Sequence, residues 1–259
     1  LVILNMVVWG SALVVYNAAM GLCKQQYGFV DPKIRFDKYT TMALAIGLGM
    51  LSGSIWVAWM NTRRESGWLA MVALLFAAFC TAGLAFSANY TVGLAMAFGV
   101  GFFGNTTIVC ITTLLQSITP NFIRGRVMGL NLLANTTTNV TVNFIIWRMN
   151  NADTLIITTL KVMSVLLGVI AAWGLWQQCT RGPLSTRLEN VVLRCFRAYL
   201  LIWHRLRWFG RHHIPRSGAV IMASNHPTAI DPMIIQCSCR HLIRWVMLKS
   251  FRFPILEPL

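Results

Sequence analysis

Six long apolar runs separated by short polar breaks fill the first two-thirds of the chain, over residues 1–22, 40–60, 68–88, 91–116, 127–147 and 155–176. Each reaches the roughly 20 residues that a helix needs to cross the hydrocarbon core of a bilayer. Lipid offers backbone N–H and C=O groups no partners, so spanning runs are helices or strands of a closed barrel, and these runs are about twice the length of a barrel strand of roughly 9–11 residues. The pattern predicts a six-helix membrane bundle over residues 1–177. It then changes at the breaker Thr180-Arg181-Gly182-Pro183. Beyond it Leu188, Val192, Cys195, Tyr199, Ile202, Leu206 and Phe209 recur at alternating steps of four and three, with Arg187, Arg194, Arg197 and Arg205 mostly on the other side. This is the period of an amphipathic helix, expected within a linker over 178–213. A third pattern follows Pro215: a short apolar run near 219–223 reads as a buried strand, and Asp231-Pro232 reads as the N-cap and first position of a helix.

Composition sharpens the membrane reading. Hydrophobic residues make up 56% of the 259, charged residues 11%, and the mean hydropathy is +0.62, far above an ordinary globular domain. The formal charge of +15 is unevenly spread: ten Lys and Arg face four Asp and Glu up to Trp176, and twelve face three beyond it. Basic residues beside spans mark the cytosolic side, so an even number of spans and a basic tail place both ends in the cytosol. Lys24, Lys33, Arg35 and Lys38, in the loop over 23–39, argue the other way, and the orientation rests on the tail. Anionic membrane lipid is the expected partner of the amphipathic helix, with Trp203 and Trp208 at the interface. A seventh span is the alternative, at the cost of placing four arginines in lipid. No nucleic acid is expected, because the aromatic side is packed with aliphatics. The seven cysteines form no disulfide framework, and Cys237-Ser-Cys239 before His241 lacks a second ligand pair, so no metal is expected. Leu1 opens inside an apolar run, which reads as the interior of a longer chain.

Polar residues inside the fifth run stand out. Asn131, Asn135, Asn139 and Asn143 lie four apart, among Thr136, Thr137, Thr138 and Thr141. Steps of four advance about 40° beyond a full turn, so the amides wind slowly along one flank. They serve either as interhelical glue or, at Asn135 and Asn139 in particular, as the lining of a polar path. Lys161 reads as a snorkelling residue, and Gly99, Gly101 and Gly104 as points of close helix approach.

With these residues in view, "GSIWVAWMNTRRESG" (53–67) and "PNFIRGRVMGL" (120–130) resemble the basic loops in the second half of a major facilitator superfamily transporter. The loop at 53–67 departs from the superfamily's acidic-basic signature, whereas "RGRV" before an Asn-rich helix is similar to the lysophospholipid-transporter branch. The resemblance implies a missing N-terminal transporter half. Likewise "SNHPTAIDP" (224–232), between a strand-like run and a helix, resembles the start of the glycerolipid acyltransferase superfamily, of the 1-acylglycerol-3-phosphate type. It matches at Asn225, His226, Asp231 and Pro232. The family's later glycerol-phosphate and Phe-Pro-Glu-Gly blocks have no counterpart before Leu259, so residues 214–259 are expected to form only the beginning of an α/β domain, inactive alone.

The resemblance implies His226 as general base and Asp231 as its orienting carboxylate, with Asn225 near the substrate. A neutral imidazole titrates near working pH and takes a proton from an attacking hydroxyl. No Gly-x-Ser-x-Gly elbow occurs, so the expected reaction is direct transfer from an acyl thioester to a lysophospholipid. Acyl-CoA or an acyl carrier protein is the donor substrate, and no bound cofactor is expected.

Overall fold

The computed structural model describes residues 1–60, 66–148, 153–182, 184, 186–207, 221, 223, 231–239 and 243. Among them lie eight helices: α1 (Val2–Gln25), α2 (Pro32–Met60), α3 (Ser66–Phe86), α4 (Tyr90–Ile118), α5 (Asn121–Arg148), α6 (Asp153–Thr180), α7 (Arg187–Ile202) and α8 (Asp231–Ser238). The chain divides into two compact units, Leu1–Leu175 and Trp176–Leu259.

In the first unit α1 to α6 each exceed 20 residues, so at about 1.5 Å per residue all are long enough for a hydrocarbon core of roughly 30 Å. Five of them, α1, α2, α3, α4 and α6, are also apolar enough to cross a membrane. The expectation of six spans meets five apolar ones: α5 has the length, but its five Asn, its four Thr and the basic Arg124 and Arg126 of its first turns leave it too polar. A polar helix of spanning length is stable in a bilayer only where protein covers its polar side.

Contacts fix the helix directions. Tyr90 Oη donates to Lys38 O at 2.8 Å, and Asn105 Nδ2 donates to Met50 O at 2.8 Å, so contact positions rise together and α4 runs parallel to α2. Gly83 lies against Met96 and Gly99 against Cys80, rising on one helix as they fall on the other; α3 is antiparallel to α4. Gly168 beside Ala78 and Gly174 beside Met71 set α6 antiparallel to α3. The α2–α4 crossing is the tightest. A Cβ on Gly49 would collide with Phe98 O, one on Gly53 would come within 2.5 Å of Phe102 O, and one on Gly101 would collide with Ile46 O. This is the small-xxx-small device, which gains packing where lipid removes the hydrophobic driving force. Gly99 and Gly101 do permit close approach, but Gly104 faces open space.

The loops joining α1 to α2 and α3 to α4 share one end and are bonded together. Gln26 Nε2 donates to Ser87 O, Tyr27 Oη and Ser87 Oγ are 3.0 Å apart, and Tyr27 meets Tyr90 edge-on. Burial pushes the Tyr27 phenol above its usual range. Two of the basic residues that oppose the orientation argument are engaged in this loop. Arg35 donates from Nε to Phe29 O at 3.0 Å, and Lys38 Nζ sits 5.0 Å from the Tyr90 ring centroid and 5.8 Å from that of Phe29. Lys161, expected to snorkel, lies with Nζ 4.8 Å from the Phe86 ring centroid at the end of α3.

In the second unit the amphipathic helix forms but stops at Ile202, short of the predicted Phe209. Trp203 N–H returns to Tyr199 O, Leu206 N–H to Leu200 O, and Arg205 takes φ 49°, a left-handed turn that ends the helical line. Residues 208–220 lie outside the described set. Of the expected buried strand only Ile221 and Ala223 are described; both are exposed and without regular structure. Among the described residues there is no strand, and positions 219, 220 and 222 of the expected run lie outside them.

Candidate functional site

Two places carry candidate chemistry, one in each unit. In the second unit the linker is organised by Asn190, a residue the periodicity did not single out. Its side chain is 4% exposed and accepts from Leu184 N while donating to Leu184 O and Thr186 O. Thr186 and Glu189 add a reciprocal capping box at the start of α7. The sequence signal was Thr-x-x-Glu followed by an apolar run.

α7 then divides into two sides. Leu200 is buried, and Leu193 O lies 4.0 Å from Cys237 Sγ of α8. The opposite stripe is open, with Leu188 at 74%, Val192 at 54%, Tyr199 at 48% and Ile202 at 79% exposure, next to exposed Arg187 and Arg194. An apolar stripe beside arginines suits a lipid headgroup layer. Burial pushes the Cys237 thiol up, with Arg197 opposing.

Asp231 is the first residue of α8 rather than its cap, and Pro232 follows it in the first turn. A carboxylate at this end is favoured by the helix dipole. His226 and Asn225 lie outside the described residues, so the distance between the expected base and its carboxylate is not part of the described geometry. Gln236, 7% exposed, accepts from Ile243 N at 3.0 Å and pins the chain beyond the helix.

In the first unit the Asn stripe of α5 meets α1. Asn5 Nδ2 donates to Asn131 Oδ1 at 3.1 Å, and Asn17 Nδ2 donates to Asn143 Oδ1 at 3.3 Å. Both pairs have the same sequence offset of 126, so α1 and α5 run parallel in constant register over twelve residues, about 18 Å. The stripe winds off the interface as its spacing predicts: Asn131 is buried, Asn135 and Asn139 are half-buried, and Asn143 is exposed. The threonine hydroxyls among them turn to their own helix, Thr136, Thr137, Thr138 and Thr141 each donating to the carbonyl four residues back, while the Thr138 methyl faces Gly10 of α1.

Three amide oxygens, Asn5 Oδ1, Asn135 Oδ1 and Asn139 Oδ1, are buried with no hydrogen-bond partner among the described residues. Such acceptors are costly unless a donor reaches them. What the described seam offers is amide donors and acceptors for hydrogen bonding. Its α1 partners, Asn5 and Asn17, escaped the sequence reading because an isolated Asn in an apolar run has no period to mark it. Comparison with family models, with curated proteins and with solved structures finds no match for this chain.

Proposed function

We propose that this chain belongs to a membrane-bound acyltransferase that moves an acyl group from a thioester, acyl-CoA or acyl carrier protein, to the free hydroxyl of a lysophospholipid. Its helical bundle resembles one half of a lysophospholipid transporter. The reading is carried by the Asn225-His226 and Asp231-Pro232 pairs, with His226 five residues ahead of Asp231 in sequence and Asp231 opening a helix in the unit that also holds the basic amphipathic α7. The lysolipid hydroxyl attacks the thioester carbonyl and its proton passes to His226. The carbon–sulfur bond breaks, and the departing thiolate takes that proton back. Asp231 holds the imidazole tautomer and steadies the imidazolium. The basic tail supports a cytosolic position for this chemistry at the inner membrane, with α7 on anionic headgroups.

Acyl transfer from a radiolabelled thioester to lysophospholipid, measured in the complete protein, tests the reading. His226→Ala should lower the rate by about 10²–10⁴, the range of general-base catalysis, and unchanged product would falsify the assignment. The second reading, a lysolipid or efflux carrier whose head has lost its chemistry, is favoured by the unpartnered oxygens of Asn135 and Asn139. It predicts transport into vesicles that is indifferent to His226.

A further inference from the structure

A groove of about 300 Å³ opens between α1, α5 and α6, walled by Val14, Ala18, Ile145 and Met163 and with no charged side chain in its lining. Its polar edge comes from Asn17, which is also bonded to Asn143, and from Thr159. The volume falls at the lower end of ligand pockets, roughly 300–1,000 Å³, with room for most of one alkyl chain and not for two. α5 and α6 follow one another in sequence, yet this gap separates them. Arg148, in the last turn of α5, is exposed and stands three residues past Ile145, hence on the same flank. Among the described side chains no carboxylate pairs with it.

An uncharged slot for one chain, with an exposed arginine one turn beyond its wall residue Ile145, matches an amphiphile with one tail and a phosphate. We propose that the α1–α5–α6 groove binds the alkyl chain of a single-chain phospholipid, whose phosphate is held by Arg148. The inference rests on the lysophospholipid reading for the ligand's identity, and adds where in the membrane unit that ligand sits. Neutral single-chain lipids share the tail but not the phosphate, and the guanidinium distinguishes them.

The test uses the full chain in nanodiscs with a 1-acyl lysophosphatidylglycerol carrying a diazirine near the end of its chain, and maps the crosslinked residues by mass spectrometry. Labelling should concentrate on residues 14–18 and 142–146 over the outward stripe of α2 at Leu44, Leu48 and Ile55, which is 51–62% exposed and lines no groove among the described residues. Ala18→Phe, or Ile145→Trp at a partly open wall position, should fill the groove and remove the preference. Arg148→Gln should weaken labelling by the lysophospholipid about fivefold, the effect of one basic residue at a membrane surface, and leave labelling by the matching diazirine monoacylglycerol unchanged. Equal labelling of groove and outward stripe in the unsubstituted protein overturns the proposal, as does a preference that survives both filling substitutions. The map holds or fails whether or not His226-dependent acyl transfer is found in the same samples, which separates failure of the groove from failure of the enzyme reading.

Discussion

Asn131 shows how one side chain changes role with its neighbours. In sequence it is the first of four amides on a winding stripe; in the bundle it is 7% exposed and accepts from Asn5. Removing one partner leaves the other buried and unsatisfied, whereas replacing both by leucine removes the demand. Asn5→Leu and Asn131→Leu together should therefore cost less than the sum of the single changes, with a coupling of about 0.6–1.7 kcal/mol, measurable by a double-mutant cycle of unfolding in mixed micelles. The glycines separate equally sharply. Gly101→Ala drives a methyl into the Ile46 carbonyl and should destabilise by about 1–3 kcal/mol. Gly104→Ala meets nothing within 4 Å and should be neutral or stabilising by up to about 1 kcal/mol. Thermal unfolding of the two variants side by side checks both.

At the scale of elements, α7 is the piece whose sequence says most and whose ends are set locally. Its start depends on a Thr186 hydroxyl accepting from Glu189 N at 3.2 Å, with the Glu189 carboxylate accepting from Thr186 N. Thr186→Ala should cost about 1 kcal/mol of helix stability, read as reduced hydrogen-exchange protection over 187–191. Its far end was not legible, because no Pro or Gly lies near residue 203 and the stop is made by the left-handed Arg205 and the return of Leu206 to Leu200 O. α5 is the converse case. Its length and its Asn spacing were readable, but composition alone makes it a poor span, and only the seam with α1 explains how its polar flank is accommodated.

For the whole molecule, the alternating directions of α1 to α6 bring the loop over 23–39 to the end of the bundle opposite the one where α6 finishes. Arg35 and Lys38 are held by loop carbonyls and aromatic rings but keep their charge, so the proposed orientation rests on the larger basic excess of the tail. Val30→Cys, at a position 78% exposed, should react with a membrane-impermeant maleimide in intact spheroplasts. The exposed Cys195 should react only in inverted vesicles. Labelling of both from one side would refute the alternating bundle or the orientation assigned to it.

Hydrophobic run length by itself determined that the chain is a multi-helix membrane protein, because a bilayer imposes one length and one backbone solution on every span. Period by itself determined that a basic amphipathic helix follows, because an apolar stripe at steps of three and four has one regular conformation that gathers it. Tertiary structure decided which glycines pack, that Asn5 and Asn17 complete the α5 stripe, and that a groove lies between α5 and α6. Those outcomes depend on which helix lies beside which, and at what register. Neighbours distant in sequence settle that choice through shape and paired hydrogen bonds, and no local pattern records it.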